Sequence, residues 1–314
     1  MGTAAFIAGD WGTTHLRLSL CAADGTVLET TSGPGIGQID GEFPILFAQL
    51  IAPWATRQPD LPTVLCGMVG STLGWLNVPY VSCPAQPATI AQSMAAIAGH
   101  RVLIAPGLTC RNRHDAPDVM RGEETQILGA IDLEPSLSQG RHLLCLPGTH
   151  TKWVVLNDGV VREFLTAATG ELFALIKQHS VLVRAREGDV DAAAAFGRAL
   201  DHVRQYPQSA LAHLLFECRS RQLGNELSAA DAPHFLSGLL IGQDVAAALA
   251  LFADVIRETA RVVIVGTPHL MQLHSRALSA FGASCATIDG AHAALAGLTR
   301  LYQYRFGKER MDVA

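Results

Sequence analysis

Charge is scarce in this chain. Only 16% of its 314 residues are Asp, Glu, Lys or Arg, and the 23 Lys and Arg are scattered without a basic run. A nucleic-acid binder needs a concentrated positive face, so no such partner is expected. Seven cysteines (Cys21, Cys66, Cys83, Cys110, Cys145, Cys218, Cys285) form no C-x-x-C pair, which excludes a zinc knuckle and reads as reduced thiols in apolar settings. H-E-x-x-H is absent, as is the G-x-x-x-x-G-K-[ST] loop of P-loop enzymes. Gly33-Pro34-Gly35-Ile36-Gly37 is not a dinucleotide-binding fingerprint, because it follows a hairpin and contains Pro. The N-terminal stretch lacks a basic segment and meets an acid at Asp10, so it reads poorly as a signal peptide. Met1-Gly2 is a poor myristoylation start with Phe6 in place of Ser or Thr. The longest apolar stretch, Phe235 to Ile256, is interrupted by Gln243, Asp244 and Asp254, and reads as a buried helix with no membrane partner. A soluble, cytoplasmic protein is expected. What the chain has is apolar material: 49% hydrophobic residues and a net charge of −5, enough core for one large domain or two ordinary ones.

A strand, tight turn and hairpin open the chain. Ala4–Gly9 is apolar, Asp10-Trp11-Gly12-Thr13-Thr14 is a turn, and Leu16, Leu18 and Leu20 alternate with Arg17 and Ser19. Asp24-Gly25 then signals a hairpin before a β-rich return. The figure recurs at Leu143–Leu146, the turn Pro147-Gly148-Thr149-His150-Thr151, the strand Lys152–Leu156 and Asp158-Gly159. Two copies suggest a duplicated domain, while Gly-Thr and Asp-Gly are also common enough to coincide. Helical periodicity fills the gaps at Thr89–Ile97, Gly122–Ile131, Gly170–Ile176, Asp191–Val203, Pro207–Arg219, Phe235–Arg257, His274–Phe281 and Ala291–Tyr304, with a buried strand at Val262–Val265. A Pro, Ser and Gly cluster near residues 130–140 marks a boundary.

The two turns carry the first chemical signal. Successive N–H groups beside Gly make a concave nest for anions, and the Thr hydroxyls add donors. Asp10 would repel a phosphate unless a cation lay between, which is what a Mg²⁺-bound nucleotide requires. The same residues also suit a plain β-turn. Gly148, Thr149, His150 and Lys152 repeat the chemistry with a cation, although a Lys on a strand is often simply solvated. Glu123 and Glu124 open a helix, where acids favour the dipole. One of them could instead be a general base, and since neighbours on a helix diverge by about 100°, at most one faces a given ligand. Val262–Thr267 ends an apolar strand in a Gly turn, where ligands of α/β sheets often bind. Cys66-Gly67-Met68-Val69-Gly70-Ser71, with Trp75 behind it, has the same form; a Trp in such a place is more often a core residue than a substrate wall.

Taken in order, Asp10–Thr14, Cys66–Ser71, Val119–Gln126, Leu146–Trp153 and Phe235–Gly242 resemble the 2-dehydro-3-deoxygalactonokinase family, within the acetate and sugar kinase, heat-shock ATPase and actin superfamily. The resemblance runs from near residue 5 to about 282. It implies an α/β fold of two duplicated RNase H-like (actin-like) domains around a central nucleotide cleft. The expected domains are 1–132, with the C-terminal helix 291–314 as a candidate to join it, and 133–290. It implies ATP and Mg²⁺ as cofactors and transfer of phosphate to the 6-hydroxyl of 2-dehydro-3-deoxy-D-galactonate in galactonate catabolism. Carried over by position, Asp10 would steer the metal, with Gly12, Thr13, Thr14, Gly148, Thr149, His150 and Lys152 on the phosphates. Gly266 and Thr267 would meet the adenosine, although the family's Gly-Gly is Gly-Thr here. Glu123 resembles the base, with Glu124 open as the alternative. Gly70, Ser71, Trp75, Arg121 and Glu171 are candidate substrate contacts, and Arg121 is ranked ahead of Arg17 for the sugar carboxylate. Competing readings are a kinase for another ketose or sugar acid, a phosphatase of the superfamily, and a non-catalytic sugar sensor. A homodimer is the base-rate expectation.

Overall fold

A computed structural model describes residues 3–184, 187–259 and 261–307. The Met1-Gly2 reading and residues 308–314 of the expected terminal helix lie outside the described residues. The chain divides into two compact units: unit 1 holds the residues up to Gly140, Leu156–Phe164 and those from Ile288 on, and unit 2 holds Arg141–Val155 and Leu165–Thr287.

In unit 1, β1 (Phe6–Trp11) is apolar almost throughout and takes a central place in the sheet, because both faces are covered. It pairs antiparallel with β2 (His15–Cys21), whose Leu16, Leu18 and Leu20 turn inward while Arg17 faces out. β3 (Val27–Pro34) completes the meander. Helix α1 (Phe43–Arg57) follows and has no counterpart in the expected elements. Pro44 suits its first turn, and Pro53 stands on its exposed face, so three aromatics, Phe43, Phe47 and Trp54, still reach the core. β4 (Thr63–Cys66) runs parallel to β1. After β5 (Val81–Ser82), α2 (Pro87–Gln92) is shorter than its Ala-rich run suggested, because β6 (Ala95–Ala96) leaves it to pair with β7 (Val102–Ile104). The sheet order is β3-β2-β1-β4-β7-β6. β8 (Leu108–Arg111) and β9 (Pro117–Met120) form a small sheet with β5. They lead into α3 (Glu123–Leu133).

The second sheet has the order β12-β11-β10-β13-β14, from β10 (Arg141–Leu146), β11 (Thr151–Asn157), β12 (Val160–Ala167), β13 (Val262–Gly266) and β14 (Cys285–Asp289). Both larger sheets therefore place a three-strand run beside a strand parallel to its first member. Helices α4 (Thr169–His179), α5 (Ala192–Gln205), α6 (Leu211–Leu223) and α7 (Ala232–Leu251) join β12 to α8 (Ala253–Glu258). The single helix expected over Phe235–Arg257 is thus broken at Phe252, a fully buried side chain. Helix α7 is long and apolar enough to cross a membrane by length and composition, but half of that stretch is buried inside the protein, against α5, α6 and α9 (Pro268–Ala280). Helix α9 begins six residues before the expected His274, with Pro268 in its first turn.

The last helix, α10 (Gly290–Phe306), belongs to unit 1 and crosses α3 closely. A Cβ on Gly129 would strike the Ala293 carbonyl, and one on Gly297 the Thr125 carbonyl. That crossing holds the start of α3 in place, and Phe6 of β1 stacks on Tyr302 of α10 at 4.1 Å. All seven cysteines are free thiols, as expected of reduced residues, with Cys21, Cys66, Cys145 and Cys218 buried.

Candidate active site

Three segments of unit 1 converge at the end of β1: the turn after Asp10, the turn after β4, and the start of α3. Two glycines make this contact possible. Gly67 has φ +91°, and a Cβ there would sit 2.8 Å from the Trp11 carbonyl; Gly122 has φ +108°, and its Cβ position is 3.4 Å from the Gly67 Cα. Asp10 is thereby brought near Cys66 and Glu123. Burial pushes the Asp10 carboxyl up, Arg17 opposite it on β2 pulls it down, and the Glu123 charge raises it again.

The two adjacent acids have different surroundings. Glu124 is wholly buried; its Oε2 accepts from the Gly122 amide at 2.6 Å and its Oε1 from the Thr125 hydroxyl at 3.0 Å. Burial, and then the Glu123 charge, push Glu124 up to about 7. Glu123 is half-buried, and its Oε2 accepts from the Arg121 amide at 3.1 Å. Arg121 donates from Nη2 to the Val78 carbonyl at 2.7 Å and lies over the Tyr80 ring at 4.4 Å. Its Nε and Nη1 are buried without a hydrogen-bond partner. Gly70 packs against this guanidinium, with a Cβ position 2.8 Å from Nη1. Ser71 is buried, and its Oγ accepts from the Leu73 amide at 3.2 Å. Trp75 joins Trp11, Phe47 and His100 in an aromatic cluster on the core, the contacts of a packing residue.

The turn itself is closed by the Gly12 amide donating to the His15 carbonyl at 2.9 Å, and Thr13 and Thr14 are exposed. Behind it, the Ile36 and Gly37 amides donate to the Gly12 and Thr13 carbonyls at 3.0 and 2.9 Å. The Gly33–Gly37 run, set aside in sequence as a failed dinucleotide motif, is the brace of this loop; its only sequence signal was the spacing of its glycines.

In unit 2 the turn between β10 and β11 is set by different contacts. Gly148 has open space before it, while the Glu171 amide donates to the Thr149 carbonyl at 2.9 Å. His150 Nε2 lies 2.8 Å from Glu171 Oε2, with both side chains about half exposed. Lys152 is buried on β11, and its Nζ donates to the His150 carbonyl at 3.2 Å, so its stem and head lie under the turn. Beneath it, Asp244 of α7 accepts from Trp153 Nε1 and Thr169 Oγ1, each at 3.0 Å. Burial pushes Asp244 up to about 6 against those two hydrogen bonds. Pro147 packs on Gly266, and Thr267 stands at the N-cap position of α9 without a side-chain cap hydrogen bond.

Sequence reasoning did not find the cavity of about 520 Å³ that opens beside this turn within unit 2. Gly148, Thr151 and Gly170 line one part, and Phe173, Phe196 and Leu240 give it apolar walls. Gly266 and Thr267 are not among its lining residues, but α9, which they introduce, supplies one side from His269 to Arg276. Among the described residues no group of three His, Cys, Asp or Glu side chains could hold a metal ion. A single desolvated carboxylate, Asp10, nevertheless fits Mg²⁺, which keeps waters and phosphate oxygens as its other ligands.

The family model for 2-keto-3-deoxy-galactonokinase matches residues 10–301. The chain belongs to the 2-keto-3-deoxy-galactonokinase family. It is therefore a kinase, and the phosphatase and sensor readings fall away. A Rhizobium meliloti protein named Probable 2-dehydro-3-deoxygalactonokinase is 42% identical over 308 residues, covering 95% of this chain and 97% of the relative. The Escherichia coli 2-dehydro-3-deoxygalactonokinase is 34% identical over 297 residues, covering 94% and 97%. A crystal structure of a Sinorhizobium meliloti protein assigned to the same kinase superposes with a TM-score of 0.83 at 38% identity, covering 95% of this chain and 98% of that one. Component A of the Acidaminococcus fermentans (R)-2-hydroxyglutaryl-CoA dehydratase shares the fold alone, with a TM-score of 0.53 at 10% identity, covering 98% and 100%. Kinases of this family use ATP, and the mixed α/β fold expected from sequence stands.

Proposed function

We propose that this kinase transfers the γ-phosphate of Mg²⁺-ATP to the 6-hydroxyl of 2-dehydro-3-deoxy-D-galactonate, a cytoplasmic step of galactonate catabolism. The observation that carries the assignment within unit 1 is at the start of α3, where the Arg121 backbone amide holds a half-buried Glu123 while the half-buried Arg121 keeps two buried guanidinium nitrogens without partners. A carboxylate base and an under-bonded guanidinium two residues apart in the chain suit an acceptor that is both an alcohol and an acid. Glu123 takes the proton of the attacking hydroxyl, and Glu124, with both oxygens occupied by local donors, supports the loop. Arg121 meets the substrate carboxylate, since buried, unpaired N–H groups of a cation are costly until an anion fills them. Gly70 and Ser71 shape the surface around it.

Asp10 would hold Mg²⁺, and the ion would supply charge compensation for the transferring phosphoryl group. In unit 1, Gly12, Thr13 and Thr14 offer donors to phosphate oxygens, and in unit 2 Gly148, Thr149 and His150 do the same. Lys152 supports its loop from below, and Glu171 orients His150. The nucleoside occupies the unit 2 cavity, one side of which is α9, the helix that Gly266 and Thr267 introduce. The shared strand order of the two larger sheets supports descent of both units from one duplicated domain.

An ADP-release assay over a panel of 2-keto-3-deoxy acids and ordinary hexoses, with and without Mg²⁺, tests the assignment. Turnover confined to the keto acids and dependent on the metal is expected. Equal rates on a hexose would overturn it. Glu123→Gln is expected to lose about 10²–10⁴-fold in kcat with little change in nucleotide KM. Full turnover in that variant, with loss in Glu124→Gln, would move the base to Glu124.

A further inference from the structure

We infer that His274 reads the nucleobase, accepting a hydrogen bond from the 6-amino group of adenine, and so makes this kinase select ATP over 6-oxopurine nucleotides. This rests on the reading of the unit 2 cavity as the nucleoside site. His274 lies on α9 and is only 2% exposed, yet it lines that cavity. Its Nδ1 is 2.9 Å from the Leu270 carbonyl. A carbonyl only accepts, so Nδ1 carries the ring proton. Burial pulls the imidazole down to about 4, which keeps the ring neutral at physiological pH. The other nitrogen, Nε2, is left as a lone-pair acceptor, and it is buried with no hydrogen-bond partner.

An unsatisfied buried acceptor in an otherwise well-bonded protein calls for a donor from elsewhere. Phe173, Phe196, Leu240 and Leu273 give the cavity faces for a flat ring, and its polar side chains, Gln272 and Arg276 of the same helix among them, make no hydrogen bond to Nε2. A second buried atom, the Thr151 hydroxyl on the phosphate-loop side, lines the same cavity and is also without a partner. Two orphaned polar atoms in one cavity of about 520 Å³ mark it as built for a ligand with polar groups at separate points and an apolar body. A purine nucleoside has that form. Adenine offers an amino donor at the 6-position where hypoxanthine and guanine present an oxygen, and an oxygen facing Nε2 sets two acceptors against each other.

The test measures kcat/KM for ATP, ITP and 2′-deoxy-ATP in the wild type, in His274→Leu and in Ala193→Trp, which fills the cavity rim from α5. The wild type is expected to prefer ATP over ITP by about 10–100-fold. His274→Leu should bring that ratio to near unity, and a ratio is independent of how much of the variant is folded. Should the variant not fold, binding of ATP, ITP and 6-unsubstituted purine triphosphate to the wild type decides, with ATP expected tightest. Ala193→Trp should raise KM for ATP and ITP alike; an unchanged KM would overturn the cavity as the nucleoside site. A raised KM there with no ATP preference in the wild type would overturn the role of His274 alone. Loss of discrimination in His274→Leu against 2′-deoxy-ATP, with the ITP ratio kept, would assign Nε2 to the ribose and overturn the base assignment.

Discussion

Replacing Glu124 with Gln exchanges a buried carboxylate for an amide of the same shape. The amide oxygen can accept from the Gly122 amide, and the amide nitrogen can donate to the Thr125 hydroxyl, so the local bonding survives. What changes is the charge. The folded protein raises this carboxyl from its ordinary 4.5 to about 7, so the folded state holds the proton more tightly than the unfolded chain. Stability from this group is therefore greatest below pH 4.5, falls as pH rises towards 7, and levels off above it. At about 1.4 kcal/mol per pH unit, the ionised carboxylate costs the fold about 3 kcal/mol on the alkaline side. Thermal unfolding followed at a series of pH values between 4.5 and 8 reads this directly. Wild-type stability should decline across the window relative to Glu124→Gln, by about 5–10 °C in Tm for a unit of this size. Asp10 and Asp244 titrate in both proteins, so their contributions cancel in the comparison. Identical pH dependence in the two proteins would refute the reasoning, because it would mean that Glu124 does not carry the buried charge.

Gly129→Val should lower Tm, with a loss of about 3 kcal/mol or more, because the side chain would enter the Ala293 backbone at the α3–α10 crossing. Gly70→Ala should raise the KM for the sugar acid about tenfold or more by displacing Arg121, with the ATP KM unchanged in steady-state kinetics. Chelating Mg²⁺ should abolish ADP release, and adding Mg²⁺ back in excess should restore it in the same assay. Trp153→Phe should push Asp244 further up in pH titration, since it removes the indole donor that now holds that carboxyl down.

Much of the frame was legible in the residues. The meander of β1, β2 and β3 is written in the apolar run from Phe6, the Leu alternation after His15 and the Asp24-Gly25 turn, all of which are local signals. The repeat around Gly148 was visible for the same reason. Helix α1 was not, because Pro44 and Pro53 read as breaks until one is seen to open the helix and the other to face water. The early start of α9 was hidden in the same way by Pro268, which is a boundary signal of either sense.

The sequence by itself determined the family, the α/β alternation and the residue types at each Gly-Thr turn, since these depend on neighbours along the chain. Only tertiary structure separated Glu123 from Glu124. Their positions on the helix differ by a rotation, and which side is buried depends on where α10 crosses α3. It also put Lys152 under its loop, set Trp75 among core aromatics, and left Arg121 and His274 with unmet polar atoms. Hydrogen-bond satisfaction is a property of atoms brought together from distant parts of the chain, and no local pattern encodes it.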